Sequence, residues 1–311
     1  MAELETRRMG RTEMRPKAMG LGGAYLYHGP EQETVEGVER ALELGIDYFD
    51  TYPGGHEDRW GKAFAGIQRD SIYIQAKIGS YKRAGHHGFP ERAFDFSAAT
   101  TRWSVENSLK LLRTDYLDVV LIHGSREEYL SSPDPDADEI EDPLAPGNAL
   151  DELVKMKAEG LINHIGMGTR PFAVHRRAIE TGEIDVVLTF LDYTLLSQSL
   201  AQTTMPLARE HDVGLILASA LGMGRLTGVE PNPEAEPLAH AMWKWCQDRD
   251  VNIRHLAMQF CLAAPVDGIV MPGPANKQQV EDAYEAATVD VPPAVWRDFE
   301  NEFGIGLGEN A

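Results

Sequence analysis

Residues 104–124 read SVENSLKLLRTDYLDVVLIHG. The first half completes the run 99–114, ATTRWSVENSLKLLRT, which carries a helical pattern. The second half, DVVLIH at 118–123, is a continuous apolar run. A strand buried on both faces reads this way, because helices cover both sides of a parallel sheet. One helix feeding one such strand is the unit from which the rest of the chain can be read.

Outward from that unit the alternation repeats. Strand candidates end near Gly22, Tyr52, Gly79, His123, Thr169, Asp192, Ala220 and Gly273. Helical patterns lie between them: 32–45, 148–160, 173–182, 207–212 and 276–286. In 148–160 the side chains of Leu150, Leu153, Val154 and Met156 fall mostly on one stripe, as an amphipathic helix requires. The opening stretch 4–23 reads as a short β-hairpin, with Arg11 and Thr12 at its turn, followed by a strand. Eight strands, each followed by a helix, point to a single-domain (β/α)8 TIM barrel over residues 1–311. The competing architecture, a doubly wound sheet, wants a Gly-rich phosphate loop after its first strand. The sequence there, GLGGAYLYHG at 20–29, lacks the third glycine of that fingerprint.

Composition narrows the function. Apolar residues make up 43% and charged residues 25%, globular values that exclude disorder as the main state. Against 29 basic residues stand 49 acidic ones, a formal charge of −20. A field of that sign repels phosphate backbones and anionic lipid, so nucleic acid and membrane surfaces are disfavoured partners. No run approaches the roughly 18 apolar residues of a membrane span. The N-terminal MAELETRRMGRTE has no apolar core of a signal peptide. Two cysteines, Cys246 and Cys261, in separate helical patterns make no disulfide framework. That fits a reducing compartment, by default the cytoplasm. The biased segment 131–147, SSPDPDADEIEDPLAPG, carries six carboxylates. Glu139 and Ala145 stand where a calcium loop needs Gly and Glu, so it reads as a solvated excursion.

Several stretches, in order, resemble the aldo-keto reductase superfamily: IDYFDTYP (46–53), IYIQAKIG (72–79), SVENSLKLLRTDYLDVVLIHG, ALDELVKMKAEGLINHIGMGT (149–169), LDYTLLSQ (191–198), GMGRLTG (222–228) and VMPGPANKQQVEDA (270–283). The resemblance covers roughly residues 5–300, and the closing block 259–300 is similar to the aldose dehydrogenase subgroup. It implies a (β/α)8 barrel that binds a nicotinamide cofactor, NADP(H) or NAD(H), without a Rossmann motif. It also implies a catalytic Asp, Lys and His at Asp50, Lys77 and His123. The family's Tyr, five residues after the Asp, has no counterpart, because position 55 is Gly. Tyr52, two residues from Asp50 and so on the same strand face, and His56, in the following loop, are the two replacements.

By the same resemblance Gly168 and Thr169 occupy the carboxamide position, Phe190 and Ala218 the nicotinamide positions, and Arg225 the pyrophosphate loop. Pro272, Gly273, Lys277, Gln279 and Asp282 fall at the adenosine end. Lys277 is the one cation in PGPANKQQVEDA, where members selecting the 2′-phosphate often carry more.

A second pattern owes nothing to the family. Of ten histidines, His28, His56, His86, His87 and His123 fall at or just after the ends of strands one to four, with Tyr25, Tyr27 and Tyr81 beside them. The C-terminal rim of a barrel is where active sites lie. Aromatic faces with neutral donors suit a sugar ring. The histidine spacing matches no standard zinc motif. The reading is therefore a nicotinamide-dependent oxidoreductase acting on a sugar or a similar small carbonyl or hydroxyl compound. Its rivals are a lyase, epimerase or dehydratase on the same barrel, with metal on the rim histidines, and a cofactor-sensing subunit without activity.

Overall fold

The computed structural model describes residues 3–51, 56–79, 94–124 and 141–307. Its strands are β1 Leu21–Gly22, β2 Tyr48–Asp50, β3 Tyr73–Ile78, β4 Leu117–His123, β5 Ile162–Gly168, β6 Val186–Phe190, β7 Gly214–Ala218 and β8 Gly268–Met271. They lie side by side in chain order, every pairing parallel. A doubly wound sheet would reverse that order at a switch point. The ring closes where the approach to β1 meets β8. Gly20 N–H donates to Val270 O at 3.0 Å, Val270 N–H to Ala18 O at 2.9 Å and Gly22 N–H to Pro272 O at 2.9 Å. The expected strand ends fall within two residues of the observed ones.

The helices are α1 Glu31–Glu43, α2 Glu57–Ala63, α3 Ala98–Leu112, α4 Ala149–Ala158, α5 Phe172–Glu180, α6 Thr204–Glu210, α7 Pro237–Gln247, α8 Ile253–Leu262, α9 Lys277–Thr288 and α10 Pro293–Phe303. Their ends follow local chemistry. In α1 the acids Glu31 and Glu33 occupy the first turn, where the helix dipole favours negative charge. Its Thr34, Gly37, Val38 and Ala41 share the buried stripe. The Ser97 hydroxyl caps α3, accepting from Thr100 N–H. None of these helices is long and apolar enough to cross a membrane.

Two hydrophobic cores result from strand alternation. Tyr48, Val119, Leu121, Val186, Leu188, Ile216, Ile269 and Met271 point into the barrel, with Tyr73 and Ala218 packed against them. The alternate residues, such as Phe49, Ile74, Val120 and Ile122, face the helices. Met9 and Met14 of the N-terminal arm join the inner core and plug its lower end. This arm is the expected hairpin: Thr6 bridges Lys17 antiparallel, and a tight turn spans Gly10–Thr12. Gly10 has φ +49°, and a Cβ there would lie 2.3 Å from Gly214 N, so only glycine lets the plug meet β7.

Candidate active site

The parity that puts Tyr48 inside the barrel also puts Asp50 there, and the parity of Tyr73 carries Gln75 and Lys77 inward. These side chains form a polar column between β2 and β3. Tyr48 OH donates to Gln75 Oε1 at 2.8 Å, and Gln75 Nε2 donates to Asp50 Oδ1 at 2.6 Å. Lys77 Nζ donates to the same Asp50 oxygen and, at 2.7 Å, to Thr51 O. Asp50 and Lys77 are 5% and 4% exposed, so both charges sit out of bulk water and depend on each other. Burial raises the Tyr48 phenol well above its usual range, which keeps it a neutral donor. His123 ends β4, half-buried, with the inward parity of Val119 and Leu121.

The opposite arc of the mouth is built from the ends of β5 to β8. Gly168 pairs with His123 in the β4–β5 ladder. A Cβ on Gly168 would meet Leu121 Cδ1 at 3.2 Å and His123 Cδ2 at 3.6 Å, so its glycine keeps the floor beside the histidine flat. Thr169 is buried, and His175 of α5 bridges Thr169 O and Thr204 Oγ1, both at 2.8 Å. A carbonyl only accepts, so Nε2 carries the proton; burial lowers the imidazole's pKa and favours this neutral form. Phe190 and Ala218 end β6 and β7, half-buried. The Arg170 guanidinium lies 5.4 Å over the Phe190 ring and donates to Asp192 Oδ1 at 2.8 Å.

Beyond β7, Arg225 Nε donates to Gly222 O at 2.7 Å. Beyond β8, Pro272 and an exposed Gly273 lead into α9, whose first turn is capped by Asn276. Asn276 Oδ1 accepts from Gln279 N–H at 3.0 Å, and Gln279 Oε1 accepts from Ala275 N–H at 2.9 Å. The Gln279 amide is thus engaged with backbone. Lys277 is exposed, and Asp282 Oδ2 is held by Arg254 Nη1 at 2.5 Å. Of these residues Lys277 and Gly273 are exposed to solvent.

The remaining candidates divide. Tyr25 is 39% exposed, and its ring lies 3.1 Å from where a Gly273 Cβ would stand, which sets it on the β8 side of the mouth. His28 is exposed, with its ring 6.4 Å from that of Tyr25. His56 adopts left-handed φ/ψ of 56° and 50° at the start of α2, and its Nδ1 stands 4.0 Å from Asp58 Oδ1. Tyr52, Tyr81, His86 and His87, the Tyr27 side chain, and most of 131–147 lie outside the described residues. Among the described residues no three His, Cys, Asp or Glu side chains gather to hold a metal.

Sequence reading missed Tyr48, Gln75, Arg170 and Glu57. The first two carried a signal, the i, i+2 spacing from Asp50 and Lys77. Glu57 carried none. It is 1% exposed at the start of α2, accepting from Thr51 Oγ1 at 2.9 Å and from Ser108 Oγ at 2.8 Å. Burial pushes its carboxyl up to about 7.

The sequence profile of the aldo/keto reductase family matches residues 18–301. The chain is 30% identical to an L-galactose dehydrogenase of Arabidopsis thaliana, the match covering 93% of this chain and 89% of that protein. It is 26% identical to a D-threo-aldose 1-dehydrogenase of a Pseudomonas species, over 84% of this chain and 85% of that one. Among solved structures, an aldo-keto reductase of Bacillus halodurans in its holo form superposes with a TM-score of 0.76 at 25% identity, covering 97% of this chain and 96% of that one.

Proposed function

The chain belongs to the aldo/keto reductase family and is a nicotinamide-dependent oxidoreductase; from that premise we propose that it interconverts an aldose and its oxidised form at the sugar's C1. The observation that carries this reading is the buried Lys77–Asp50 pair on β2 and β3, beside a strand-end His123 at the same mouth. The kinship with two aldose-type dehydrogenases supplies the substrate class.

Bound nicotinamide supplies the hydride acceptor or donor. The protein's part is to hold the sugar oxygen and move its proton. His123 hydrogen-bonds that oxygen and orients its carbon. The Lys77 ammonium, held by Asp50 and Thr51 O, favours the ionised form of a neighbouring acid and stabilises negative charge developing on the oxygen. Tyr52, two residues after Asp50 in the sequence, is the residue we assign to exchange the proton. His56, at the start of α2, is the alternative for that role.

Gly168, Thr169, Phe190 and Ala218 receive the nicotinamide end, Arg225 the pyrophosphate, and Pro272, Gly273, Lys277, Gln279 and Asp282 the adenosine end. Tyr25, Tyr27, His28, Tyr81, His86 and His87 border the sugar. We take the whole chain, 1–311, as one domain, and its two buried free thiols support a reducing compartment such as the cytoplasm.

Titration with NADH and with NADPH, read by tryptophan fluorescence and Tm, tests the cofactor and decides between the two nucleotides. A nucleotide at about 100 times its Kd stabilises the fold by about 2.7 kcal/mol. Aldoses should then change nucleotide absorbance. A protein that binds neither nucleotide contradicts the assignment; one that binds but turns over only non-sugar carbonyls contradicts the substrate class.

A further inference from the structure

Of the described buried acids outside the polar column, Glu57 is the one that reaches it through Thr51. Glu57 sits in the seam between α2, α3 and the upper ends of β2 and β3. Its two oxygens accept from hydroxyls on two different elements, Thr51 after β2 and Ser108 on α3. Thr51 ties it to the active site. The Thr51 carbonyl accepts from Lys77 Nζ at 2.7 Å, and Thr51 N–H donates to Gln75 O at 2.8 Å. The Thr51 hydroxyl has one hydrogen and two acceptors in reach, Glu57 Oε1 at 2.9 Å and Gln75 O at 3.1 Å. An ionised Glu57 draws that hydrogen to itself. A protonated Glu57 donates to the hydroxyl oxygen and turns its hydrogen onto Gln75 O.

We propose that Glu57 is a positioning residue of the Lys77 site: through Thr51, its proton sets how firmly the Lys77 ammonium is held for catalysis. This rests on Lys77 serving the reaction proposed above.

The surroundings make the switch local. Lys77 on β3 favours the ionised carboxylate, and Asp58, next on α2, opposes it. Arg59 and Lys62 of α2 turn to Gly29 O and Glu31. Arg102 and Glu106 of α3 pair with each other at 3.6 Å. With burial the dominant effect, Glu57 titrates near neutrality, where its ionisation adds a negative charge close to Lys77.

The coupling is reciprocal, so it can be read without turnover. Infrared difference spectra of the full-length protein against Glu57→Gln isolate the protonated carboxyl band. Its midpoint should lie near neutral pH and move upward in Lys77→Met. Separately, the pH profile of kcat should show a limb at the same midpoint. Glu57→Gln should abolish the limb while nucleotide Kd stays within about twofold. Ser108→Ala, which removes a donor to the ionised form, should move the limb to higher pH. An unmoved band in Lys77→Met overturns the coupling. A kcat limb that persists unchanged in Glu57→Gln and in Ser108→Ala overturns the positioning role. A band that moves in a protein inactive on every aldose leaves the coupling standing and removes the sugar reading instead.

Discussion

The two ends of the barrel bury carboxylates in opposite ways. At the lower end Asp185, 7% exposed at its side chain, meets two cations and an imidazole. Arg11 Nε lies at 2.9 Å, Lys157 Nζ at 2.7 Å and His164 Nδ1 at 3.3 Å. Burial would raise its pKa, but these partners outweigh that and hold it well below the usual carboxylate range. At the mouth, Glu57 meets two hydroxyls and, among the described residues, no direct cation, and burial pushes it up to about 7. The base surrounds Asp185 with partners for its charge, which contributes to stability. The mouth leaves one acid poised near neutrality, as functional sites tend to.

The sharpest break in that comparison is Lys77→Met. If the mouth is catalytic, kcat should fall at least about 10²-fold, with nucleotide Kd little changed, as single-turnover kinetics and fluorescence titration would show. Unaltered turnover would make the pair as structural as the base network.

The two ends also predict opposite pH dependence of stability. Asp185 has a lowered folded-state pKa, so its contribution is present above its unfolded pKa of about 3.9 and is lost as pH falls. Asp185→Asn should therefore cost roughly 2–3 kcal/mol at pH 7, narrowing below about pH 4. Glu57 has a raised folded-state pKa, so the folded state keeps its proton longer than the unfolded chain. The parent loses stability as pH rises from about 4.5 to about 7, then no further. Glu57→Gln should gain relative to the parent across that window, on the order of 2–3 kcal/mol. Thermal melts from pH 4 to 8 check both; curves that shift in the same direction would refute the contrast.

Tyr48→Phe probes the foot of the mouth column. It leaves buried Gln75 Oε1 without the Tyr48 donor and should cost about 1–3 kcal/mol by urea unfolding. Its effect on kcat should be small beside that of Lys77→Met. The mildest change is Arg225→Ala, which should weaken nucleotide binding only several-fold, since a half-buried, solvent-reached cation near a phosphate contributes about 1 kcal/mol. No change would move the pyrophosphate elsewhere on the rim.

The barrel was legible before any coordinates because its signals are local. A buried strand shows as an unbroken apolar run, a helix as a stripe, and their alternation across 311 residues leaves few topologies. Asp50, Lys77 and His123 were legible through the resemblance to the aldo-keto reductases, and strand parity then turns them inward. Gln75 and Tyr48 obeyed the same parity and could have been found by it.

Glu57 could not. In the sequence it is one acid among 49, beside Asp58 at a helix start, where acids are ordinary. Only the packing of α2 against α3 and the β2–β3 edge buries it, sets the Thr51 and Ser108 hydroxyls on its oxygens and brings Lys77 within electrostatic reach. Likewise Asp282 reads as a free carboxylate until Arg254, 28 residues away on α8, closes on it. Backbone periodicity is written along the chain and set by hydrogen bonding and side-chain alternation. The charge state of a buried group depends on dielectric and on partners that only the closed barrel brings together.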